Sequence, residues 1–220
     1  MKNKGLLASI IMIIATAAYT AALMLVDVQP IGPNGTKVGL ATMNSMFQNI
    51  VGVNFTYYNI AEVMGYVIWA IFGVFALAGF VQMIKRRSII KVDRNILVLG
   101  GMYFILFALY VLFSKVAVNY RPIIMPGETM PEPSFPSSHT MMAIVVAVGT
   151  MMQLKYYVKK KSTRTFLMFD LTIIMLITVA ARTLSGAHWL SDIIAGILVS
   201  LTLISLYCAV YNSVKDDAKH

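Results

Sequence analysis

Charge is the scarcest commodity in this chain of 220 residues: only 12% are Asp, Glu, Lys or Arg, while 59% are hydrophobic. The mean hydropathy is +0.76. A soluble domain carries about 25% charged residues, so a water-solvated globule is excluded. Cysteine is nearly absent. Cys208 stands alone, which excludes an intramolecular disulfide and points to no cysteine chemistry. No long stretch alternates apolar with polar residues, which argues against a β-barrel. Histidine is rare as well, with only His139, His188 and the terminal His220.

What is present is a series of long apolar runs. Six are readable, at Gly5 to Val26, Ile60 to Ile84, Ile96 to Phe113, Thr140 to Tyr157, Phe166 to Ala181 and Trp189 to Tyr211. Each is close to the ~20 residues a helix needs to cross ~30 Å of hydrocarbon. The reading is an all-α, polytopic membrane protein with six transmembrane helices. Lys2 and Lys4 precede the first run, but that run is longer than the 7–15 residue core of a signal peptide, so it reads as a retained helix. No linker, repeat or low-complexity stretch divides the chain, and residues 1–220 read as one domain.

The net charge of +9 invites a nucleic-acid partner, and its distribution argues against one. With six helices, both termini share a side. Lys2, Lys4, Lys85, Arg86, Arg87, Lys91, Arg94, Lys155, Lys159, Lys160, Lys161, Arg164, Lys215 and Lys219 fall there, fourteen of the 18 basic residues. Excess Lys and Arg in short loops marks the cytoplasm, so both termini are expected inside, in a plasma membrane. Only Lys37, Lys115, Arg121 and Arg182 fall outside. The last three lie near His139 and His188, against the orientation signal, and read as an outward-facing anion site.

The outer loops differ in character. The first, from Asp27 to about Asn59, opens on a turn-rich stretch around Pro30 to Gly35. Val38, Met43, Met46, Phe47, Ile50 and Val51 then recur at helical spacing, the pattern of an interfacial helix. The second, about Ser114 to Ser138, holds Pro122, Pro126, Pro131, Pro133 and Pro136 and cannot be helical throughout. The third is short, about Thr183 to Ala187.

The chemistry sits in these loops. If the chain is helical from about Ser185, His188 and Asp192 share a face, so the carboxylate can hold one ring nitrogen and leave the other free to attack. Lys115, the Arg121-Pro122 pair, Pro136-Ser137-Ser138-His139, and Arg182-x5-His188-x3-Asp192 resemble the three motifs of the type 2 phosphatidic acid phosphatase (PAP2) superfamily, in order and across the six-helix layout. The resemblance implies a membrane lipid phosphatase. His188 would be the nucleophile of a phosphohistidine intermediate, and Asp192 its orienting acid. His139 would be the general acid and then the base that activates water. Lys115, Arg121, Arg182, Ser137 and Ser138 would hold the phosphate oxygens. Ser137 and Ser185 also read as N-caps that aim backbone N–H groups at the same anion.

The chain departs from the family pattern at three places. Five residues, not six, separate Lys115 from Arg121, which on an ideal helix turns Lys115 by ~100°. Ser138 stands where Gly is common, and Ala181 where Ser is. His-x3-Asp can ligate zinc, but three nearby cations would repel a dication, so neither metal nor cofactor is expected. Glu62, near the outer end of the second run, reads first as structural and second as a contact to the site. Trp189 and the Tyr57–Tyr58 pair suit an aromatic belt.

The leading expectation is a metal-independent phosphatase of a lipid mono- or diphosphate: phosphatidic acid, phosphatidylglycerophosphate or undecaprenyl diphosphate. A lipid phosphotransferase using the same intermediate is the close alternative. A transporter or binding protein for an anionic headgroup is the alternative without chemistry, and it has no use for a nucleophile–acid pair. The sequence leaves the oligomeric state open.

Overall fold

A computed structural model describes residues 2–217, with side chains for residues 5–212. Lys219 and His220 lie outside the described residues, and the side chains of Lys2, Lys4 and Lys215 are not described either. Among the described residues, seven α-helices follow one another: α1 (Lys2–Leu25), α2 (Ala41–Val51), α3 (Phe55–Arg86), α4 (Arg94–Lys115), α5 (Ser138–Tyr157), α6 (Lys161–Leu184) and α7 (Leu190–Asp217). There are no strands among the described residues, only isolated bridges between Gln29 and Val38 and between Tyr120 and Pro133. All six apolar runs are helices. The run read as Phe166 to Ala181 extends at both ends, to Lys161 and to Leu184.

Five helices are long and apolar enough to cross a membrane, namely α1, α3, α4, α6 and α7. A multi-pass membrane protein follows, since only closed intrahelical bonding satisfies the backbone in lipid. The exception is α5, and its place in the bundle gives the reason. It packs against α3, α4, α6 and α7, and Thr140, Thr150 and Gln153 are buried along it. A helix shielded by its neighbours meets little lipid and can carry polar groups. Gln153 uses them: it donates to the Tyr207 hydroxyl at 2.6 Å and accepts from the Asn95 amide at 2.7 Å. Around α5, a core of Ile68, Leu99, Met102, Met141, Val145, Val146, Val199 and Leu203 closes the bundle, while α1 lies against α7.

The loop helix α2 is amphipathic in an unexpected sense. Asn44 faces the protein: it is buried, donates to the Gly39 carbonyl at 2.8 Å, and accepts from Ser191 N at 3.1 Å. Met46 and Ile50 face outward at 63% and 81% exposure. The second loop has no helix between residues 116 and 137. It doubles back, with Arg121 N donating to Glu132 O and Ser134 N to Asn119 O, both at 2.9 Å. Trp189, expected in an aromatic belt, is instead buried and donates its indole N–H to the Tyr120 carbonyl at 2.7 Å.

The bond from Asn44 ends two residues before α2, at Gly39, which lies against the end of α1. A Cβ there would fall 1.6 Å from the Leu23 carbonyl oxygen. Gly39→Ala is therefore expected to cost about 1–3 kcal/mol of stability, read as a lowered melting midpoint in detergent. Gly73→Ala, in α3 with nothing within 4 Å of its Cβ, should leave that midpoint unchanged or raise it.

Candidate active site

The site lies at the end of the bundle where α4 and α6 finish and α5 and α7 begin. His188 is not on a helix: α7 starts at Leu190, and residues 185–189 reverse the chain. Ser185 is not an N-cap either. It ends α6, its N–H bonded to Ala181 O at 2.9 Å and its hydroxyl to Arg182 O at 2.7 Å. Gly186 follows with φ +64, and a Cβ there would fall 1.8 Å from Gly52 O. Only glycine suits both conditions. Gln48 Nε2 and Asn54 N clamp the same turn from outside, bonding Gly186 O at 3.1 Å and Ser185 O at 2.9 Å.

Two residues on, His188 is buried beside Asp192, with Nδ1 3.8 Å from Oδ2. This is ion-pair range and longer than a hydrogen bond. The Asp192 carboxylate is occupied otherwise, accepting from Asn119 Nδ2 at 3.0 Å and from Trp189 N at 3.2 Å. On its far side, His188 Nε2 lies 3.3 Å from Arg121 Nη1. A guanidinium only donates, so Nε2 carries the lone pair and the ring proton sits on Nδ1, toward Asp192. Arg121 is held in turn by Glu132 Oε2 at 2.9 Å and by Ala187 O at 3.3 Å. Arg121, Glu132, Ser134, Ser138 and His188 line a cleft of about 240 Å³.

Ser138 and His139 open the adjoining cavity of about 90 Å³, with Gly65, Trp69 and Tyr110. His139 Nε2 lies 3.4 Å from Glu62 Oε1, and its Nδ1 is buried with no hydrogen-bond partner. The same Glu62 oxygen accepts from Arg182 Nη1 at 3.0 Å. Arg182 is 1% exposed and stacks its guanidinium on the Tyr58 ring, 4.8 Å from the centroid.

Of the residues read from the sequence, the fold gathers His188, Asp192, Arg121, Ser138, His139 and Arg182. Two stand apart. Ser137 is fully buried as the cap of α5, its Oγ accepting from Thr140 N. Lys115 ends α4 exposed and lines neither cavity. The sequence reading missed Asn119, which orients Asp192 from 73 residues away, and it ranked Glu62 as structural. An acidic residue within an apolar run was the available signal for Glu62; a buried asparagine in a loop carries none.

The model of the PAP2 superfamily matches residues 121–215, a stretch that holds both histidines but not Lys115. No curated protein matches the chain. Among solved structures, the chain is similar to one described as the first transmembrane PAP2 type phosphatidylglycerolphosphate phosphatase from Bacillus subtilis. The identity is 14% and the TM-score 0.64, covering 94% of this chain and 96% of that one. At that identity the likeness is one of fold.

Burial, then the charges of Arg182, Arg121 and His139, hold the His188 imidazole well below its ordinary value of 6.5. A depressed value means the neutral ring persists as the pH falls. In ¹⁵N-histidine spectra, His188 is expected to stay neutral at pH 6.5, where an ordinary histidine is half protonated. An ordinary midpoint would contradict this electrostatic reading.

Proposed function

We propose that this chain, a member of the PAP2 superfamily, hydrolyses the phosphate or diphosphate group of a membrane lipid through a phosphohistidine, without a metal. The observation that carries the reading is the His188 Nε2 lone pair, held in a cleft beside a guanidinium at 3.3 Å. Arg121 withdraws charge from the phosphate oxygens, and Nε2 attacks phosphorus as the P–O bond to the leaving group breaks. Asp192, 3.8 Å behind Nδ1, opposes the positive charge that then forms on the ring. His139 donates a proton to the leaving oxygen. It next takes one from water, whose oxygen displaces His188 and releases phosphate. Arg182 adds a buried positive charge to this field, and Ser138 a hydroxyl. Lys115 would join only if α4 turned its last residue toward the cleft.

A lipid substrate is supported by the surface beyond the site. The cavity at His139 shares Trp69, Tyr110 and Met142 with a narrow gap, which shares Phe72, Tyr103 and Phe107 with an open groove between α3 and α4. That groove, about 630 Å³ and lined by Phe75, Phe80, Ile96 and Phe104 among others, suits an acyl or prenyl chain. Phosphatidylglycerophosphate, phosphatidic acid and undecaprenyl diphosphate are the candidates. The described basic residues support an orientation. Lys85, Arg86, Lys91, Arg94, Lys155 and Lys161 gather where α3 and α5 end and α4 and α6 begin, opposite the site. With α5, at 20 residues about 30 Å long, as the sixth span of a single domain, both termini are cytoplasmic and the site faces outward across a plasma membrane. The apolar face of α2 then lies in the interface.

The test is phosphate release by purified protein in detergent with excess EDTA, across the three lipids, beside His188→Ala. Release is expected to survive EDTA and to fall to background in the variant, with an acid-labile phosphoenzyme trapped from the wild type. Equal release from both proteins would overturn the reading. Transfer to an added acceptor lipid, without free phosphate, would assign the same intermediate to a phosphotransferase.

A further inference from the structure

Glu62 sits about two turns into α3 and places one oxygen against two groups from different helices. Oε1 is 3.0 Å from Arg182 Nη1 on α6 and 3.4 Å from His139 Nε2 on α5. One turn farther along, Gly65 supplies the room: a Cβ there would come within 3.0 Å of His139 Cδ2 and Nε2. The Cδ2–Nε2 edge of the imidazole therefore lies against Gly65 of α3, with Nε2 toward the carboxylate. Its other nitrogen, Nδ1, is buried with no hydrogen-bond partner.

A neutral imidazole has one N–H and one lone pair. A carboxylate at Nε2 keeps the proton there, which leaves the lone pair of the base form, or the transferable proton of the acid form, on Nδ1. From this geometry we infer that Glu62 is a positioning residue for His139. It sets the ring's tautomer and ties it, through a shared oxygen, to the buried Arg182. Each imidazole of the site then has its own carboxylate, Asp192 for His188 and Glu62 for His139.

The inference rests on the phosphohistidine reading above. In the first step the His188 Nε2–P bond forms, the P–O bond to the alcohol breaks, and the Nδ1 proton of His139 passes to the leaving oxygen. In the second, Nδ1 takes a proton from water, the water oxygen bonds to phosphorus, and the N–P bond breaks. Glu62 keeps the Nε2 proton in place through both.

Glu62→Gln separates this role from a merely structural one. Glutamine keeps the size and can keep one acceptor oxygen between Arg182 and His139, but it loses the negative charge that holds the Nε2 proton and opposes the imidazolium. The measurement is kcat/KM on a lipid alkyl phosphate and on an alkylated nitrophenyl phosphate, whose leaving group needs no proton. Loss of general-acid help is expected to cost about 100-fold on the alkyl ester and only a few-fold on the aryl ester. Phosphohistidine should accumulate with the aryl ester as hydrolysis slows. Equal losses on both esters, or no loss, would overturn the inference. Should Glu62→Gln fail to fold, Gly65→Ala leaves the carboxylate in place and displaces the ring. It is expected to give the same selective loss in milder form, and an unselective loss would overturn the inference. A wild type that turns over neither ester would instead overturn the phosphatase reading itself.

Discussion

Four segments of the chain meet at Asp192. Its backbone carbonyl accepts from Ser137 N at 3.0 Å, at the start of α5. Its carboxylate accepts from Asn119 in the second loop and from Trp189 just before α7, and it faces His188. A fully buried carboxylate is costly unless its lone pairs are occupied, so these donors are structural obligations. Ser191, next in the chain, extends the junction: its N–H and hydroxyl meet Asn44 of α2, and the hydroxyl also meets Asn119. The two helix starts, the proline-rich loop and the outer helix are set relative to one another here, and His188 is placed as a result.

Around that junction the positive charges are arranged in opposed pairs. Arg182 answers Glu62, and Arg121 answers Glu132. In a poorly solvated site, unopposed guanidinium groups would repel each other strongly. Each carboxylate relieves that repulsion while leaving the guanidinium further donors. The neutral His188 fits the same logic, since a protonated ring between two arginines would add a third like charge.

The sequence was legible where structure is local. The six helical runs, the proline-limited loop and the order of the motifs follow from composition and spacing over a few residues, and the structure shows helices at every run. The Arg182, His188 and Asp192 cluster was legible because eleven consecutive residues carry it. Its local geometry was not. A helix from Ser185 was the simplest reading, and the close approach of Gly52 to Gly186 instead forces a turn and delays α7 to Leu190. Glu62 and Asn119 were hidden because they meet the motif from 120 and 73 residues away, through packing that no spacing encodes. The partners of Asn44 and Gln48 in α2 were hidden in the same way, for they lie 147 and 138 residues away.

The Gly186 turn also determines where this chain can tolerate insertions. Between Arg182 and His188, Thr183 and Ser185 are held by their hydroxyls, Gly186 by the approach of Gly52 and Ala187 by Arg121, and both flanks are packed helices. One added residue would rotate α7 or displace His188 from Arg121, so that interval behaves as a fixed ruler. The stretch from Ile124 to Pro131, beyond the bridge between Tyr120 and Pro133 in the second loop, is mostly exposed and bonded chiefly to itself, as in Glu128 N to Met125 O. Length variation in an evolving lineage should accumulate there, and a tag or label should be accepted there without disturbing the site.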